Sequence, residues 1–293
     1  MKIVACVVNW NSGDLIKKCL ENLASQALGE IFVIDNASRD ESPRIAEELG
    51  FKVIRNPKNA GYAAAANQAM QYAKSADADF IAIVNPDVTL SSNAIKLLAQ
   101  ALTEDPKAAV ASPLAMSEKT GLVESAWYEF NYRHLIVTPH GTNDNPENYA
   151  GTINVPAIPG VAWMFKLSAF KQIGNLNEDF FLYHEDMEWC YRARLSGYHV
   201  LLVSKAQAHH AGFSNDPTRE LVKSYFLGRN SVLFAKRWLK GYTKFKFWSF
   251  SAISVPIYLI EGLKDKKTLV TLKGMSDGIK GEISEEMKRF LDI

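Results

Sequence analysis

The sequence predicts an α/β fold with a mostly parallel, mixed sheet flanked by helices and followed by a C-terminal helical extension. In residues 1–113, short runs rich in Val, Ile, Phe and Ala alternate with segments whose apolar residues recur every three or four positions. This alternation is typical of βαβ units. Each short run ends in a polar residue or is followed directly by one, and the pattern after Arg219 is helical to the end of the chain.

The alternation places four strands and four helices in residues 1–113. The predicted strands are Ile3–Val8, Ile31–Asp35, Lys52–Arg55 and Phe80–Asn85. The predicted helices are Asp14–Ser25, Ser42–Leu49, Tyr62–Lys74 and Ser91–Leu102. Because a helix connects each strand to the next, the strands can run parallel.

The pattern is weaker in the middle of the chain. From Glu118 to Pro159 aromatic residues are mixed with Asn, Pro and Gly, which predicts a long connection or an inserted lobe. Beyond it we predict a strand at Gly160–Lys166, a helix at Asp186–Ser196 and a strand at His199–Val203. We therefore divide the chain into the two halves of one domain and a helical tail: residues 1–113, 114–235 and 236–293.

The composition is that of a globular protein. A chain of 293 residues with 47% hydrophobic and 22% charged side chains can bury a large core, and its net charge of +1 gives no indication of a nucleic-acid partner. Cys6, Cys19 and Cys190 are too few for a disulfide framework, and no pair has metal-ligand spacing. We interpret them as buried thiols in a reducing cytosol.

Targeting and membrane-spanning segments are not predicted. The apolar run Ile3–Val8 is too short for a secretory signal and lacks a small-residue cleavage site, so we interpret it as a strand. No stretch reaches the roughly 18 apolar residues of a spanning helix. The longest uncharged run, 247–260, contains Pro256 and three serines. We expect a cytoplasmic protein.

Polar residues follow the predicted strands. Open α/β sheets bind ligands in the crevice beyond the carboxyl ends of their strands. The residues expected there are Asn9, Asn11, Asp35, Asn36, Asn85 and Asp87. Loops are polar in any protein, so a scatter without function is the alternative.

Asp87 is a candidate metal ligand. The turn Asn85-Pro86-Asp87 follows a strand directly and projects the carboxylate over the edge of the sheet. A carboxylate suits Mg²⁺ or Mn²⁺, which prefer one or two such ligands together with substrate phosphates. Asn-Pro-Asp is also an ordinary turn signal, and a turn without a ligand is the alternative.

Acidic residues also open the predicted helix that follows the aromatic run 180–183. Apolar surroundings raise the proton affinity of a carboxylate, while the positive end of a helix lowers it, so Asp186 can be poised as a base. Acids that merely complement the helix dipole are the alternative, which we prefer for Glu188.

A third group is the tandem pair His209-His210, with Gly212 and Ser214 behind it. Two histidines after a strand suggest a ligand. A hydrogen-bonded histidine without a ligand is the equally weighted alternative.

In order and spacing, these clusters resemble the family 2 inverting glycosyltransferases, particularly the rhamnosyltransferase-like group that builds bacterial surface polysaccharides. The likeness covers roughly residues 2–235. The segments that carry it are 7–11, 33–40, 59–62 with Asn67, 85–87, Glu185-Asp186, 209–214 and Arg229-Asn230 after Tyr225-Phe226.

The resemblance implies the GT-A fold, a Rossmann-like arrangement, and a role for each segment. Asp35 would recognise a pyrimidine base, and Asp87 with His209 would hold Mg²⁺ or Mn²⁺. Asp186 would be the catalytic base beside Glu185. The implied donor-binding residues are Asn9, Asn11, Asp35, Asn36, Gly61, Asn67, Asn85, Asp87 and Arg229.

The implied partners are a pyrimidine nucleoside-diphosphate-sugar, such as deoxythymidine-diphosphate-rhamnose or a UDP-sugar, and a glycan or lipid-linked acceptor. The first half of the domain would bind the donor, and the second half would bind the acceptor and carry the catalytic residues. Three departures from the family pattern are visible. They are the alanines 63–66 in place of a Gly-rich stretch, the uncharged Asn85, and Asn177-Glu178 in place of Asp-Glu.

The tail mixes basic and aromatic residues. Eight basic residues face the single acid Glu220 between Arg219 and Lys246. The interleaved and adjoining aromatics are Phe234, Trp238, Tyr242, Phe245, Phe247 and Trp248. A basic residue near anionic headgroups contributes roughly 1 kcal/mol, so we expect a peripheral contact with the inner face of the cell membrane. Packing of the aromatics onto the catalytic domain, or a homodimer, is the alternative.

Other enzyme classes fit less well. A nucleotidyltransferase needs a Gly-rich, Arg- and Lys-containing loop after the first strand, and a dinucleotide-dependent dehydrogenase needs G-x-G-x-x-G there. Residues 9–14 contain neither pattern. The non-enzymatic alternative is a catalytically silent protein of the same fold that binds a nucleotide-sugar or a glycan.

Overall fold

A computed structural model describes residues 1–26, 28–131, 136–212, 217–262 and 265–291. The strands are β1 (Ile3–Asn9), β2 (Glu30–Asp35), β3 (Lys52–Arg55), β4 (Phe80–Val84), β5 (Val88–Leu90), β6 (Ala108–Ser117), β7 (Val123–Ser125), β8 (Trp127–Asn131), β9 (Ile136–His140), β10 (Thr152–Asn154), β11 (Ala162–Lys166) and β12 (His199–His210). The α-helices are α1 (Leu15–Ala24), α2 (Ser42–Glu48), α3 (Tyr62–Ser75), α4 (Ala94–Glu104), α5 (Leu167–Ile173), α6 (Glu185–Leu195), α7 (Pro217–Trp238), α8 (Gly241–Gly262), α9 (Lys266–Lys280) and α10 (Glu285–Leu291).

One large mixed sheet forms the centre of the molecule. Its strand order is β10-β12-β6-β11-β4-β1-β2-β3, with β5 beside β12 and β7 beside β6. The neighbours β4, β1, β2 and β3 run parallel, as do β6 and β12, whereas β11 is antiparallel to both β4 and β6. The predicted mixed sheet flanked by helices, with a helical extension, is confirmed.

The central strands are buried on both faces. In β1, the side chains of Ile3, Ala5 and Val7 pack in one apolar cluster with α1 and α4. Those of Val4, Cys6 and Val8 pack in a second cluster with α3 and α6 on the other face. Each fully buried Val or Ile contributes about 1.5–3 kcal/mol, so a continuous apolar run is favoured where a strand has no solvent face.

The predicted elements of residues 1–113 are present, with ends that differ by a few residues. The stretch 118–159, for which we predicted a connection or an inserted lobe, contains the short strands β7, β8, β9 and β10 in its described part. The predicted end of the last strand at Val203 is wrong. After an irregularity, β12 resumes its pairing with β6 at Gln207 and continues to His210.

The C-terminal helices pack against the domain and against each other. The helices α7 and α9 approach closely because α9 has glycine at its contact positions. A methyl group at Gly274 would collide with the carbonyl of Tyr225, and one at Gly278 with the carbonyl of Arg229. Within the described segments, no helix is both long and apolar enough to cross a lipid bilayer.

Candidate active site

A buried polar network lies at the carboxyl ends of β1 and β2. The side-chain amide of Asn9 donates to Oδ1 of Asp35 at 2.8 Å and to Oγ of Ser42 at 2.8 Å. The backbone N–H of Ser38 donates to the other oxygen of Asp35 at 3.1 Å. Asn9 and Asp35 are almost completely buried. Because β1 and β2 are parallel neighbours, the register Asn9↔Asp35 brings the two together at one edge.

Asn36 connects this edge to the start of α3. Its amide donates to the carbonyl of Gly61 at 3.0 Å, and its Oδ1 accepts from the amide of Asn56 at 2.8 Å. Asn11 adopts a positive φ of 49° and accepts at its side-chain oxygen from the N–H of Arg39 at 2.7 Å. These contacts fix the loop after β1 against the loop after β2.

Arg219 closes the same loop from α7. Its Nη2 donates to the carbonyl of Asn11 at 2.7 Å, and its guanidinium lies 5.8 Å from the ring centroid of Trp10. The cation therefore lies at the strand edge where a donor diphosphate is expected. From the sequence, Arg219 is predicted only as part of the basic tail.

Asp87 lies beyond β4 beside a histidine. Its Oδ2 is 3.0 Å from Nε2 of His210, whose Nδ1 is 2.7 Å from Oε2 of Glu124. The carboxylate is 1% exposed, and within the described residues neither of its oxygens has a further partner. Burial alone would lower the pKa of His210, but the contacts with Asp87 and Glu124 raise it to about 10.

The histidine beside Asp87 is therefore His210, while we predicted His209 as the metal ligand. Successive side chains of a strand point to opposite faces, so only one of a tandem pair can face Asp87. His209 pairs through its backbone with Met116 and Thr89. Of the other residues in the predicted histidine segment, Phe213 and Ser214 lie outside the described residues.

The acid pair opens α6 and is buried. Asp186 accepts from the N–H of Gly160 at 3.0 Å and from the N–H of Met187 at 2.7 Å. Burial raises the pKa of Asp186 to about 6, although these backbone hydrogen bonds lower it. Burial and the charge of Asp186 hold the pKa of Glu185 well above its usual range. Asp186 can thus be ionised near neutrality while Glu185 keeps its proton.

Glu188, one turn along α6, has a different environment. It accepts hydrogen bonds from Nε of Arg192 at 3.0 Å and from the indole of Trp238 at 3.2 Å. A carboxylate with such partners stabilises the fold, which agrees with the interpretation of Glu188 as an acid without a catalytic role.

Tyr183 lies near both Glu185 and Asp87, and Tyr128 lies near the acid pair and Glu124. Burial raises the pKa of Tyr183 to about 12, with contributions from the negative charges of Glu185 and Asp87. Burial raises the pKa of Tyr128 too, with contributions from Asp186 and Glu124. Because Glu124 also contacts His210, the carboxylates of α6 and the Asp87–His210 pair lie in one electrostatic neighbourhood.

Three other predicted donor-binding residues make contacts within the protein. Gly61, with φ of 86°, lies against Phe181, whose ring and carbonyl leave no room for a side chain. Asn67 exchanges hydrogen bonds of 2.9 Å with the backbone of Leu176. Arg229 is buried and donates to the carbonyls of Glu282 and Asp179. Their predicted donor contacts stay predictions.

The structure shows the environment of two of the departures from the family pattern, the alanines of α3 and Asn85. The side chains of Ala63, Ala65 and Ala66 are fully buried in α3, where they pack against the sheet. Asn85 is half-buried, and its backbone N–H donates to the carbonyl of Val161 at 3.0 Å. The alanines thus serve packing in this chain.

The residues around Asp87 fit a divalent cation whose remaining ligands come from a substrate. No group of three or more His, Cys, Asp or Glu that could hold a metal is found in the described ranges. The buried carboxylate of Asp87 nevertheless leaves Oδ1 without a partner among those residues. A hard cation bound by this carboxylate and by phosphate oxygens matches the oxygen ligands present, and His210 would have to lose a proton before its imidazole could join them.

Comparisons with known proteins agree on one family. The family described as "Glycosyl transferase family 2" matches residues 4–174. The chain is 26% identical over 218 residues to the low-salt glycan biosynthesis hexosyltransferase Agl10 of Haloferax volcanii, which covers 70% of this chain and 65% of the relative. This chain thus matches slightly less than two thirds of that relative's length.

A second relative and a solved structure extend the comparison. The N-acetylglucosaminyl-diphospho-decaprenol L-rhamnosyltransferase of Mycobacterium tuberculosis is 26% identical over 241 residues, covering 73% of this chain and 78% of the relative. The mannosyltransferase PcManGT from Pyrobaculum calidifontis, solved with GDP-Man and Mn²⁺, superposes with a TM-score of 0.60 at 16% identity, covering 99% of this chain and 78% of that one. The likeness in structure shows the GT-A fold, and together with the family match it shows that this chain belongs to glycosyl transferase family 2, in its rhamnosyltransferase-like group.

Proposed function

We propose that the chain transfers a sugar, with rhamnose the first candidate, from a pyrimidine nucleoside-diphosphate donor to a hydroxyl of a glycan or lipid-linked acceptor in cell-surface polysaccharide synthesis. The observation that carries the proposal is the buried pair Glu185-Asp186 at the start of α6, with Asp186 held by two backbone N–H groups and with Glu185 and Asp87 both near Tyr183. The names of the hexosyltransferase and rhamnosyltransferase relatives support the substrate class.

In the proposed complex, the donor nucleotide lies across the carboxyl ends of β1, β2 and β4. Asp35 faces the base, and its neighbours Asn9 and Ser38 hold its carboxylate in place. Residues 1–113 would thus bind the donor, and residues 114–235 would bind the acceptor and supply the acid pair.

Asp186 is the proposed general base. As the acceptor oxygen forms its bond to the anomeric carbon, its proton passes to the carboxylate of Asp186, and the bond from carbon to the diphosphate breaks. Attack from the face opposite the diphosphate gives a product of inverted configuration. The N–H groups of Gly160 and Met187 keep the carboxylate ionised and fix its orientation.

Glu185 is proposed to stay neutral beside the base. Two carboxylates at adjacent positions in a buried site cannot both ionise easily, and the raised pKa of Glu185 keeps the second charge absent. A protonated Glu185 can then donate a hydrogen bond to the acceptor sugar.

A divalent cation, Mg²⁺ or Mn²⁺, fits at Asp87. When bound, it would neutralise negative charge on the departing nucleoside diphosphate. Asp87 would hold it through its carboxylate, His210 could join only after losing a proton, and His209 stays a predicted ligand. The Mn²⁺ in the PcManGT structure supports a metal in this fold.

The acceptor is proposed to reach the site at the inner face of the cell membrane. On α8, the exposed side chains of Tyr242, Phe245, Ile253 and Ile260 recur at helical spacing and so share one face. Lys244 is exposed on the same helix, and Lys246 lies over the ring of Tyr242. An apolar stripe flanked by cations suits the interface of an anionic bilayer. A homodimer through this face is the competing arrangement.

The test of the proposed function is Asp186→Asn. Loss of a general base lowers turnover by about 10²–10⁴-fold, while calorimetry should show unchanged binding of the nucleoside diphosphate. The matched control is Glu188→Gln on the same helix, which should keep turnover within a few-fold. Near-normal turnover of Asp186→Asn would show that another group takes the proton.

A catalytically silent protein that binds a nucleotide-sugar is the second candidate function. The measurement that separates the two is donor hydrolysis by the wild-type protein with and without Mn²⁺. Hydrolysis that depends on the metal supports the enzyme, and binding without any hydrolysis or transfer supports the silent protein.

A further inference from the structure

The segment Phe180–His184, which leads into the acid pair, has an unusual backbone. Phe181, Tyr183 and His184 adopt positive φ values of 61°, 64° and 69°. For a residue other than glycine a positive φ is uncommon and strained. Three such residues in four positions persist only if surrounding contacts hold them. The direction in which α6 presents Glu185 and Asp186 is set by this segment.

Asn230 on α7 makes those contacts. Its side-chain amide nitrogen lies 2.8 Å from the carbonyl of Phe180, 2.8 Å from that of Leu182 and 2.7 Å from that of Tyr183. The side chain is fully buried. Its oxygen accepts from Nη1 of Arg229 at 2.8 Å, which fixes the orientation of the amide.

A second helix, α3, also holds the segment: the N–H of Tyr62 donates to the carbonyl of Phe181 at 2.7 Å. The ring of Phe181 stacks on that of Phe226 of α7 with centroids 5.4 Å apart. With the Asn230 contacts, four carbonyls of 180–183 are engaged from two helices. A segment in which each of four successive carbonyls accepts a hydrogen bond from a neighbouring helix has little freedom to reorient.

We propose that Asn230 is a positioning residue for the reaction: by holding the carbonyls of residues 180–183 it fixes the acid pair of α6 relative to the donor site. The proposal rests on the proposed function of Asp186. It assigns a role at the active site to α7, a helix that begins more than 30 residues beyond the acid pair.

The discriminating variant is Asn230→Asp. The substitution keeps the shape of the side chain and the oxygen that accepts from Arg229, and it removes both N–H donors to the segment. Misplacement of a catalytic group by about 1 Å can cost 10²-fold in rate. We expect turnover to fall by at least about tenfold, with binding of the nucleoside diphosphate within about twofold of wild type. Asn230→Ser, which retains one donor, serves as a second variant if Asn230→Asp does not fold.

The control is Tyr225→Phe on the same helix. It removes a buried hydroxyl that donates to Asp277 at 2.8 Å and accepts from the N–H of Ser284 at 2.9 Å, both in the last helical region. We expect a lower melting temperature with turnover within about twofold of wild type. An equal loss of turnover in both variants at matched melting temperatures would overturn the proposal, because it would reflect general destabilisation.

Hydrogen exchange provides a readout that does not depend on activity. The N–H groups of Leu182 and Glu188 donate to the carbonyls of Phe180 and His184. These N–H groups should exchange faster in Asn230→Asp, and their exchange rates should not change in Tyr225→Phe. Unchanged exchange in Asn230→Asp would overturn the positioning role. Faster exchange in a protein whose wild type transfers no sugar would instead count against the proposed function.

Discussion

Asp186 is balanced between two opposing environments. Burial raises its pKa to about 6, while the N–H groups of Met187 and Gly160 lower it. Below this pKa the carboxylate carries a proton and cannot accept another, so turnover should fall as the pH drops through about 6 and level off above it. The measurement is the initial rate at saturating donor from about pH 5 to pH 8. An initial rate that does not fall between about pH 7 and pH 5 would contradict the role of Asp186 as the base.

Gly61 is required by its backbone conformation and by its neighbour. Gly61→Ala would place a methyl group 2.6 Å from the ring of Phe181 in addition to the cost of a positive φ. We expect destabilisation by roughly 2–4 kcal/mol, the sum of backbone and overpacking costs. Chemical denaturation measures it. Gly50→Ala, at the same φ of 86° but with no atom within 4 Å, should show only the backbone cost. Equal losses in the two variants would exclude the collision with Phe181.

The tandem histidines show what a local sequence pattern cannot decide. The sequence indicates that a histidine follows the last strand, but the choice between His209 and His210 depends on the register after the irregularity at Val203. That register is set by pairing with β6, which no local pattern reveals. Asn230 was visible only as part of a motif, because its partners lie about 50 residues away in the chain.

At the scale of elements, the α7–α9 contact gives a prediction with a definite sign. In an open helix, Gly→Ala stabilises by about 1 kcal/mol. At Gly274 the added methyl collides with the backbone carbonyl of Tyr225, so Gly274→Ala should instead lower stability by about 1–3 kcal/mol. The measurement is thermal unfolding.

Ser276→Ala is the control for this contact, since Ser276 is exposed on α9. We expect it to be neutral or slightly stabilising. A gain of stability in Gly274→Ala comparable to that of an open helical site would contradict the close approach of the two helices.

Elements whose apolar residues form a long run or recur at regular spacing could be predicted from the sequence, and elements without such a pattern could not. β4, and β1 as far as Val8, are apolar throughout because they are buried on both faces, and α1 and α4 have a clear apolar stripe. In contrast, β7 and β10 are three residues long, too short for a period to be recognised. Their pairing comes from the neighbouring strands β6 and β12.

At the scale of the whole molecule, the exposed stripe on α8 predicts binding to anionic vesicles. Phe245→Ser combined with Ile253→Ser should weaken binding to vesicles containing phosphatidylglycerol by at least about 30-fold, since each of the two lost apolar contacts contributes on the order of 1–2 kcal/mol. Added salt should weaken the binding further.

The control for flotation is Leu195→Ser, which removes an exposed apolar side chain from α6 and should not change the binding. No flotation of the wild type, even at low salt, would contradict a bilayer partner. A concentration-dependent dimer that the α8 variants dissociate would identify the competing arrangement.

The fold class predicted from the sequence is confirmed. In the tail, some of the aromatic residues expected at the surface are exposed and others are buried. Of the aromatic residues expected at a surface, Phe234 and Phe247 are buried against α9, whereas Tyr242 and Phe245 are exposed. Composition cannot distinguish the two cases, because both faces of α8 contain apolar residues. The division at residues 113 and 235 stays a prediction.

The three cysteines lie inside the molecule, two of them on opposite sides of β1, and burial raises the pKa of each thiol above its usual range. Alkylating and oxidising reagents attack the thiolate, so the folded chain should resist both. A single cysteine introduced on the surface could therefore carry a spectroscopic label without removal of the native ones, and the slow modification of the native thiols would report how often the whole core opens.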